Sequence, residues 1–179
     1  MPHWSDLSEK NFNELLRLTR MYHREARRCE GAKSYLAGCI MAGAALEALL
    51  VAMLHLYGDE LEGSAVAMSK GRPKPLLGWT LFEMLKVARN AKWLPTGLEL
   101  GANWNTRLAR IGDYAEVLRQ IRNLIHPSRY LLDHSPSRIT KRYLTSSIEI
   151  FEAASSHLEA KVHESLRKDM EKEKQDSSS

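Results

Sequence analysis

The residues best suited to chemistry lie in one basic stretch, which reads Leu118-Arg119-Gln120-Ile121-Arg122-Asn123-Leu124-Ile125-His126-Pro127. In an α-helix, Arg119 and His126 are seven positions apart and therefore lie about 20° from each other. Metal-free RNA cleavage needs a base for the 2′-hydroxyl proton and a fixed cation for the anionic transition state. Histidine and arginine supply these two groups. The catalytic candidates are Arg119, Arg122, Asn123 and His126. The alternative is that the arginines and His126 hydrogen-bond the free carbonyls of a helix end.

A predicted helix over about 105–125 positions these residues. Its apolar side chains recur at helical spacing and end before Pro127, which stops the helix because the residue before a proline avoids helical geometry. They are Leu108, Ile111, Ala115, Leu118 and Ile125. Arg119 and His126 fall at the edge of this apolar arc. Packing of the arc would therefore place them along the rim of a groove.

Helical periodicity extends along most of the chain, and no run alternates like a half-buried strand. The pattern predicts five helices in all, over about 8–31, 32–57, 77–90 and 105–125, and from about Ser137 onward. Ser8 is the expected N-cap of the first helix, and Gly31 the expected stop. The fold class predicted is all-α, an up-down helical bundle of about five helices.

Composition is that of one globular domain, with 44% hydrophobic and 27% charged residues in 179. We expect the domain to cover 1–166, and the charged residues 167–179 to form a disordered tail. A formal net charge of +4 is by itself weak evidence for a nucleic-acid partner. Cys29 and Cys39 form neither a disulfide framework nor a metal pattern. No signal peptide is recognisable, and these features together predict a cytoplasmic protein.

The apolar segment from Tyr35 to Tyr57 is long enough to cross a membrane, but Glu47 lies in its middle. A carboxylate there costs about 3 kcal/mol on membrane insertion. We therefore predict a helix buried in a bundle, with no membrane role. A buried carboxylate needs a partner, so Glu47 is expected to form a structural ion pair with Arg110, Arg119 or Arg122. His55 is expected to be a capping or core histidine.

Two further pairs of residues are candidates for RNA or nucleotide binding. Lys70 and Arg72 lie in a loop rich in glycine and proline, and Arg129 and Tyr130 follow the turn at Pro127. The alternatives are a solvated basic loop and a tyrosine that packs on the bundle. No metal site or cofactor is expected, because the only close histidine pair of the last helix, six positions apart, falls on opposite faces.

The stretch from Leu118 to Pro127 resembles the signature of the HEPN superfamily, which is an arginine, four to six residues and a histidine. Arg119 and His126 have the six-residue spacing, whereas the Arg-Asn dipeptide typical of the family is Arg122-Asn123, three residues before His126. Which arginine matches is left open. Ser128 stands where some members have a tyrosine. The segment from Ala44 to Leu50 is also similar to that of bacterial HEPN-like proteins.

The resemblance implies a helical bundle that forms a homodimer, in which the motifs of two subunits line a shared cleft for RNA or a nucleotide. It also implies a nucleotidyltransferase-type antitoxin as a partner. Three functions are therefore weighed. They are a metal-independent endoribonuclease of toxin or antiviral type, a non-catalytic HEPN-like module that binds nucleotide, RNA or protein, and a helical scaffolding protein.

Overall fold

The computed structural model describes residues 5, 7–61, 66–94 and 139–176. Of these residues 79% are helical, in four α-helices, which confirms the all-α class. The helices are α1 (Glu9–Gly31), α2 (Tyr35–Tyr57), α3 (Leu81–Asn90) and α4 (Lys141–Asp176). The predicted helix over 105–125 lies outside the described residues. The five-helix arrangement therefore stays a prediction.

Helix α1 begins where the sequence predicts, because the Ser8 side chain accepts a hydrogen bond from the backbone N–H of Asn11 at 3.2 Å. The helix ends at Gly31, the predicted last position. The left-handed residue just beyond this end is Lys33, with φ of 58°. The Ser34 N–H then bonds to the Cys29 carbonyl at 2.9 Å, which satisfies a carbonyl of the last turn.

Helix α2 is the central element of the described bundle. It packs most extensively on α1 and next on α4, and Leu46, Leu50 and Leu54 are fully buried. The segment Tyr35–Leu61 has a mean hydropathy of 2.0, and it is the one described helix long and apolar enough to cross a membrane. Of that window 67% is buried inside the protein. The core helix of a bundle has the same length and composition.

Helix α4 packs on α2 through the apolar residues that the sequence predicts, since Leu144, Ile148, Phe151 and Leu158 are all buried. Near its start α4 lies so close to α2 that a Cβ on Gly38 would be 2.6 Å from a Leu144 methyl carbon. A side chain at this position would force Leu144 to shift, and its Cβ would also lie 3.0 Å from Cys29 Cβ. The helix extends through Asp176, past position 167, where the sequence predicts a charged tail.

The connection after α2 contains more structure than predicted. A 3₁₀ turn (Gly58–Leu61) follows α2, and a second one (Leu76–Gly78) precedes α3. Strands β1 (Met68–Ser69) and β2 (Arg72–Pro73) pair antiparallel between them, in a segment that the sequence analysis treats only as a loop. Helix α3 starts at Leu81 rather than Leu77, because Thr80 and Glu83 form a capping box. Phe82 is 51% exposed on this helix, whereas Met84 is fully buried.

Candidate functional site

The predicted catalytic and neighbouring binding residues lie outside the described residues. They are Arg119, Arg122, Asn123, His126, Arg129 and Tyr130. Of the other predicted site residues, Lys70 and Arg72 lie on the β-hairpin, and Glu47 lies half-buried on α2. The arginines proposed as partners of Glu47 also lie outside the described part of the chain, so that ion pair stays a prediction.

The β-hairpin carries the two predicted phosphate-binding cations. Met68 pairs with Pro73 and Ser69 with Arg72, which leaves Lys70 and Gly71 as the two turn residues. Both have positive φ, 49° for Lys70 and 76° for Gly71, as a type I′ turn requires. Glycine adopts this geometry freely, whereas a side chain at Lys70 makes it unfavourable by roughly 1 kcal/mol. Lys70 at the tip of the turn is therefore in a backbone conformation that is less stable for lysine than for glycine.

Two contacts fix the base of the hairpin, one to α3 and one to Trp79 just before it. The Lys74 ammonium bonds to the Glu83 carboxylate at 2.5 Å, and the Trp79 indole N–H donates to the Lys74 carbonyl at 3.0 Å. Partial burial acts to raise the pKa of Glu83, but the hydrogen bonds from Lys74 and Thr80 prevail and lower it below its ordinary value. The charge of Lys74 is thus neutralised locally, and its side chain serves to hold the hairpin.

The two cations nearer the hairpin tip, Lys70 and Arg72, differ from Lys74 in their exposure and ion pairing. Lys70 and Arg72 are both exposed, and neither forms an ion pair with any described residue. Met68, 53% exposed, stands beside them. Arg72 and Lys70 precede Lys74 of the anchored base by two and four residues. Exposed cations in this place can bind phosphate oxygens, arginine by paired hydrogen bonds and lysine as a point charge.

A second basic region, the α1 arginine cluster, comprises Arg17, Arg20, Arg24, Arg27 and Arg28. Three of its members are paired with carboxylates. Arg17 bonds to Glu14 at 2.5 Å, Arg28 bonds to Glu25 at 2.5 Å, and Arg27 bonds to Glu152 of α4 at 2.5 Å. This cluster is therefore much less cationic than its arginine count indicates.

Beside the cluster, α1 and α4 diverge to leave an open cleft, here called the α1–α4 groove. The two helices run antiparallel and touch near Glu30, whose carboxylate accepts from the Thr145 hydroxyl at 2.9 Å. Farther along, from Arg20 to Phe12 on α1, they enclose a cavity of about 600 Å³. Its walls and floor are mainly apolar, and they include Leu16, Met53, Leu56, Phe151, Leu158 and Val162.

The narrow end of the α1–α4 groove is polar. His23 Nε2 lies 2.9 Å from a Glu152 carboxylate oxygen, and the same oxygen accepts from Arg27. The His23 ring also packs on Phe151, with centroids 4.9 Å apart. This arrangement was not predicted. His23 and Glu152 lie on the half-buried face of their own helices, but nothing local in the sequence indicates that they meet.

His55 is buried, as predicted for a core histidine. Its Nδ1 lies 2.6 Å from the Ser5 hydroxyl oxygen, and its ring packs beside Phe12 with centroids 5.6 Å apart. Burial, with a smaller effect of the N-terminal charge, lowers the pKa of His55 below its ordinary value. The imidazole therefore stays neutral near pH 7, and this contact ties the segment before α1 to the end of α2.

No cluster of three or more histidine, cysteine or acidic side chains suitable for a metal ion occurs among the described residues. Cys39 is buried, and burial, opposed by a hydrogen bond from Ser147, raises the pKa of its thiol. Comparison with known proteins gives no match, whether to a protein-family model, to a curated protein or to a solved structure.

Proposed function

We propose that this protein is a HEPN-like, metal-independent endoribonuclease that cuts single-stranded RNA. The observation that carries the proposal is the Arg119-x6-His126 motif at the end of a predicted amphipathic helix. The all-helical architecture is compatible with the bundle that this resemblance implies. The catalytic residues of the proposal are Arg119, Arg122, Asn123 and His126.

In the proposed reaction, His126 accepts the proton of a ribose 2′-hydroxyl group. The 2′-oxygen attacks the adjacent phosphorus and the bond to the 5′-oxygen breaks. The proton that His126 took from the 2′-hydroxyl passes to the leaving 5′-oxygen, so the products are a 2′,3′-cyclic phosphate and a 5′-hydroxyl. One of the two arginines binds the phosphate as negative charge develops on its oxygens. A fixed guanidinium suits this role because it donates two parallel hydrogen bonds.

RNA binding in this proposal uses two further groups. Arg129 and Tyr130 border the catalytic residues in the sequence, where a tyrosine ring is able to stack on a base. Lys70 and Arg72, which are exposed and form no ion pair within the part of the chain that the structure describes, bind phosphates of the RNA backbone. The resemblance further implies a homodimer with a shared cleft, and inhibition by a nucleotidyltransferase-type partner.

The proposal is tested with purified protein and labelled single-stranded RNA in the presence of EDTA. We expect cleavage to products that end in a 2′,3′-cyclic phosphate. The variant His126→Ala should lose at least about a hundredfold in rate, the usual contribution of a general base. His157→Ala is the matched control, because it removes a histidine from α4 and should leave the rate unchanged. Full activity of His126→Ala, with its helical circular dichroism intact, would exclude His126 from the reaction.

The second candidate is a non-catalytic HEPN-like module that binds RNA or nucleotide. The observation that favours it is the pair of exposed cations on the hairpin, since Lys70 and Arg72 bind phosphate whether or not cleavage follows. This candidate predicts salt-dependent RNA binding with no product formed by the wild-type protein. RNA that remains intact after prolonged incubation, while binding is retained, would select it over the nuclease.

A further inference from the structure

The α1–α4 groove has the size and the lining of a binding site for a small molecule. Its volume of about 600 Å³ lies within the range of roughly 300–1,000 Å³ that is typical of ligand pockets. Most of its surface is apolar, and its polar groups are few, as in such pockets generally. The position between helices of a bundle is also a common place for a ligand.

The apolar part of the groove is formed by all three long helices. It extends along α1 from Arg20 to Phe12, a length of about 12 Å at the helical rise of about 1.5 Å per residue. Leu56 on its floor is 45% exposed although it belongs to the central helix α2, so this apolar surface is accessible to solvent. A hydrocarbon chain seated here loses its contact with water, and each methylene group that is buried improves binding about fourfold.

The polar end of the groove presents a cation that no described carboxylate neutralises. Arg20 lines this end, is exposed, and forms no ion pair with any residue in the described ranges. Arg24, one helical turn away, is exposed and lacks an ion pair in the same part of the chain. The Glu152 carboxylate is already bonded to Arg27 at 2.5 Å and to His23 at 2.9 Å. The charge at this end therefore suits an anionic head group, which a guanidinium binds by paired hydrogen bonds.

A second carboxylate, Glu159, lies farther along the rim of the groove. It is exposed, accepts a hydrogen bond from the Ser155 hydroxyl at 3.0 Å, and lies about 10 Å from Glu152 along the axis of α4. Because α1 and α4 are antiparallel and His23 meets Glu152, Glu159 lies opposite Leu16, beside the apolar part of the groove. An ammonium head group would select this carboxylate, so the sign of the head-group charge distinguishes the two places.

We propose that the α1–α4 groove binds a single-chain anionic amphiphile of the medium-chain fatty acid class. The hydrocarbon chain lies in the apolar part of the groove between α1, α2 and α4, and the carboxylate contacts Arg20 at the polar end. This site is separate from the RNA-binding cations of the proposed function, because Lys70 and Arg72 lie on the β-hairpin and do not line the groove.

The site is tested by isothermal titration calorimetry of the full chain with laurate, below the concentration at which laurate forms micelles. We expect one molecule bound per chain. Decanoate should bind about tenfold more weakly, because it buries two methylene groups fewer. Dodecylammonium, which has the same chain length and the opposite charge, should bind about threefold to fivefold more weakly. The absence of saturable laurate binding would overturn the proposal, and tighter binding of dodecylammonium would overturn the anionic assignment.

Two pairs of variants locate the ligand in the groove. Leu56→Glu places a carboxylate on the groove floor at an exposed position and should weaken laurate binding at least about tenfold. Leu77→Glu is its control, since Leu77 is 63% exposed and does not line the groove. Arg20→Gln should weaken binding about threefold to fivefold, whereas Arg17→Gln should not, because Arg17 is paired with Glu14. Equal laurate affinity in Leu56→Glu and wild type, with helical circular dichroism intact, would refute the site.

A last variant separates this site from the proposed function. Lys70→Ala/Arg72→Ala, in which RNA binding should be weakened, is expected to bind laurate as the wild type does. A loss of laurate affinity in this variant would contradict the placement of the ligand in the groove. None of these measurements depends on RNA cleavage.

Discussion

The α1 arginine cluster and the β-hairpin are both basic in sequence, but they differ in how many of their cations form ion pairs. The cluster has more cations, and three of its five arginines are paired with Glu14, Glu25 or Glu152. The hairpin has fewer cations, and only Lys74 at its base is paired. Lys70 and Arg72 at its tip have no ion-pair partner among the described residues. The number of basic residues is thus a poor guide to the charge available to an anionic ligand.

The pairing also separates two roles of basic side chains in this protein. On α1 two of the paired arginines bond to carboxylates of the same helix, and the third, Arg27, connects α1 to α4 through a Glu152 oxygen that also contacts His23. On the hairpin, Lys74 anchors the element to Glu83, and the preceding cations Lys70 and Arg72 are exposed to solvent. In the proposed function, the comparison favours the hairpin over the α1 arginine cluster as the region that binds phosphate.

Removal of the free cations should produce the largest effect. In the variant Lys70→Ala/Arg72→Ala, the affinity for single-stranded RNA should fall about tenfold or more at low salt, because two phosphate contacts are lost. The slope of log affinity against log salt should decrease by about 1.4. Fluorescence anisotropy with labelled RNA measures both quantities. The variant Arg17→Ala/Arg28→Ala removes two paired cations and should change neither by much. Equal losses in the two variants would contradict the comparison.

The anchor of the hairpin should have the next largest effect. Glu83→Gln removes the charge that Lys74 contacts, and we expect the free energy of unfolding to fall by about 1 kcal/mol. Because the folded pKa of Glu83 is lowered, its stabilisation is complete above the unfolded value of about 4.3 and is lost as the pH falls through the folded pKa. Urea unfolding between pH 3 and 7 should therefore show a flatter acid limb in this variant. Glu9→Gln, an acidic residue in the first turn of α1, is the control.

A substitution at the hairpin tip distinguishes charge from conformation. Lys70→Gly removes one cation and also relieves the left-handed backbone at that position, so the hairpin should become more stable by up to about 1 kcal/mol. RNA affinity should nevertheless fall. Increased affinity in this variant would mean that the shape of the turn, and not the ammonium group, governs binding.

The smallest effect is expected when a carboxylate that pairs with the α1 arginine cluster is neutralised. Glu152→Gln removes the negative charge that contacts His23 and Arg27. The Arg27 guanidinium should then be available to bind an anionic ligand. The pair is partly exposed, and its loss should reduce stability by less than about 1 kcal/mol. RNA affinity at low salt should rise slightly. An unchanged affinity would indicate that carboxylate pairing does not limit what the α1 arginine cluster binds.

The sequence was a good guide to the long helices, because their signals are local. Ser8 caps the first helix, and the apolar residues of α4 recur at a spacing that only a helix places on one face. The start of α3 was misplaced because Leu77 fits the apolar pattern. The capping box of Thr80 and Glu83 decides the boundary instead.

The hairpin escaped prediction for a physical reason. Strands of two residues are too short to show alternation, and the signal that remained was the Lys70-Gly71 pair at the turn, which departs from the usual Asn-Gly. The contacts of the α1–α4 groove were also beyond sequence reasoning. His23 and Glu152 are separated by 129 positions, and only the packing of α1 and α4 on α2 brings them together. The catalytic prediction around His126 stays a prediction.

The burial of α2 has a consequence for how this protein reaches its native state. One of the helices that cover α2 is α4, which begins at residue 141, long after α2 ends at residue 57. During synthesis, the 23-residue apolar helix α2 is therefore complete long before α4 has been translated and can pack on it. Its alanine- and leucine-rich surface is meanwhile accessible to chaperones and to other unfinished chains. Expression yield should therefore depend on translation speed and chaperone supply more than on the stability of the finished fold.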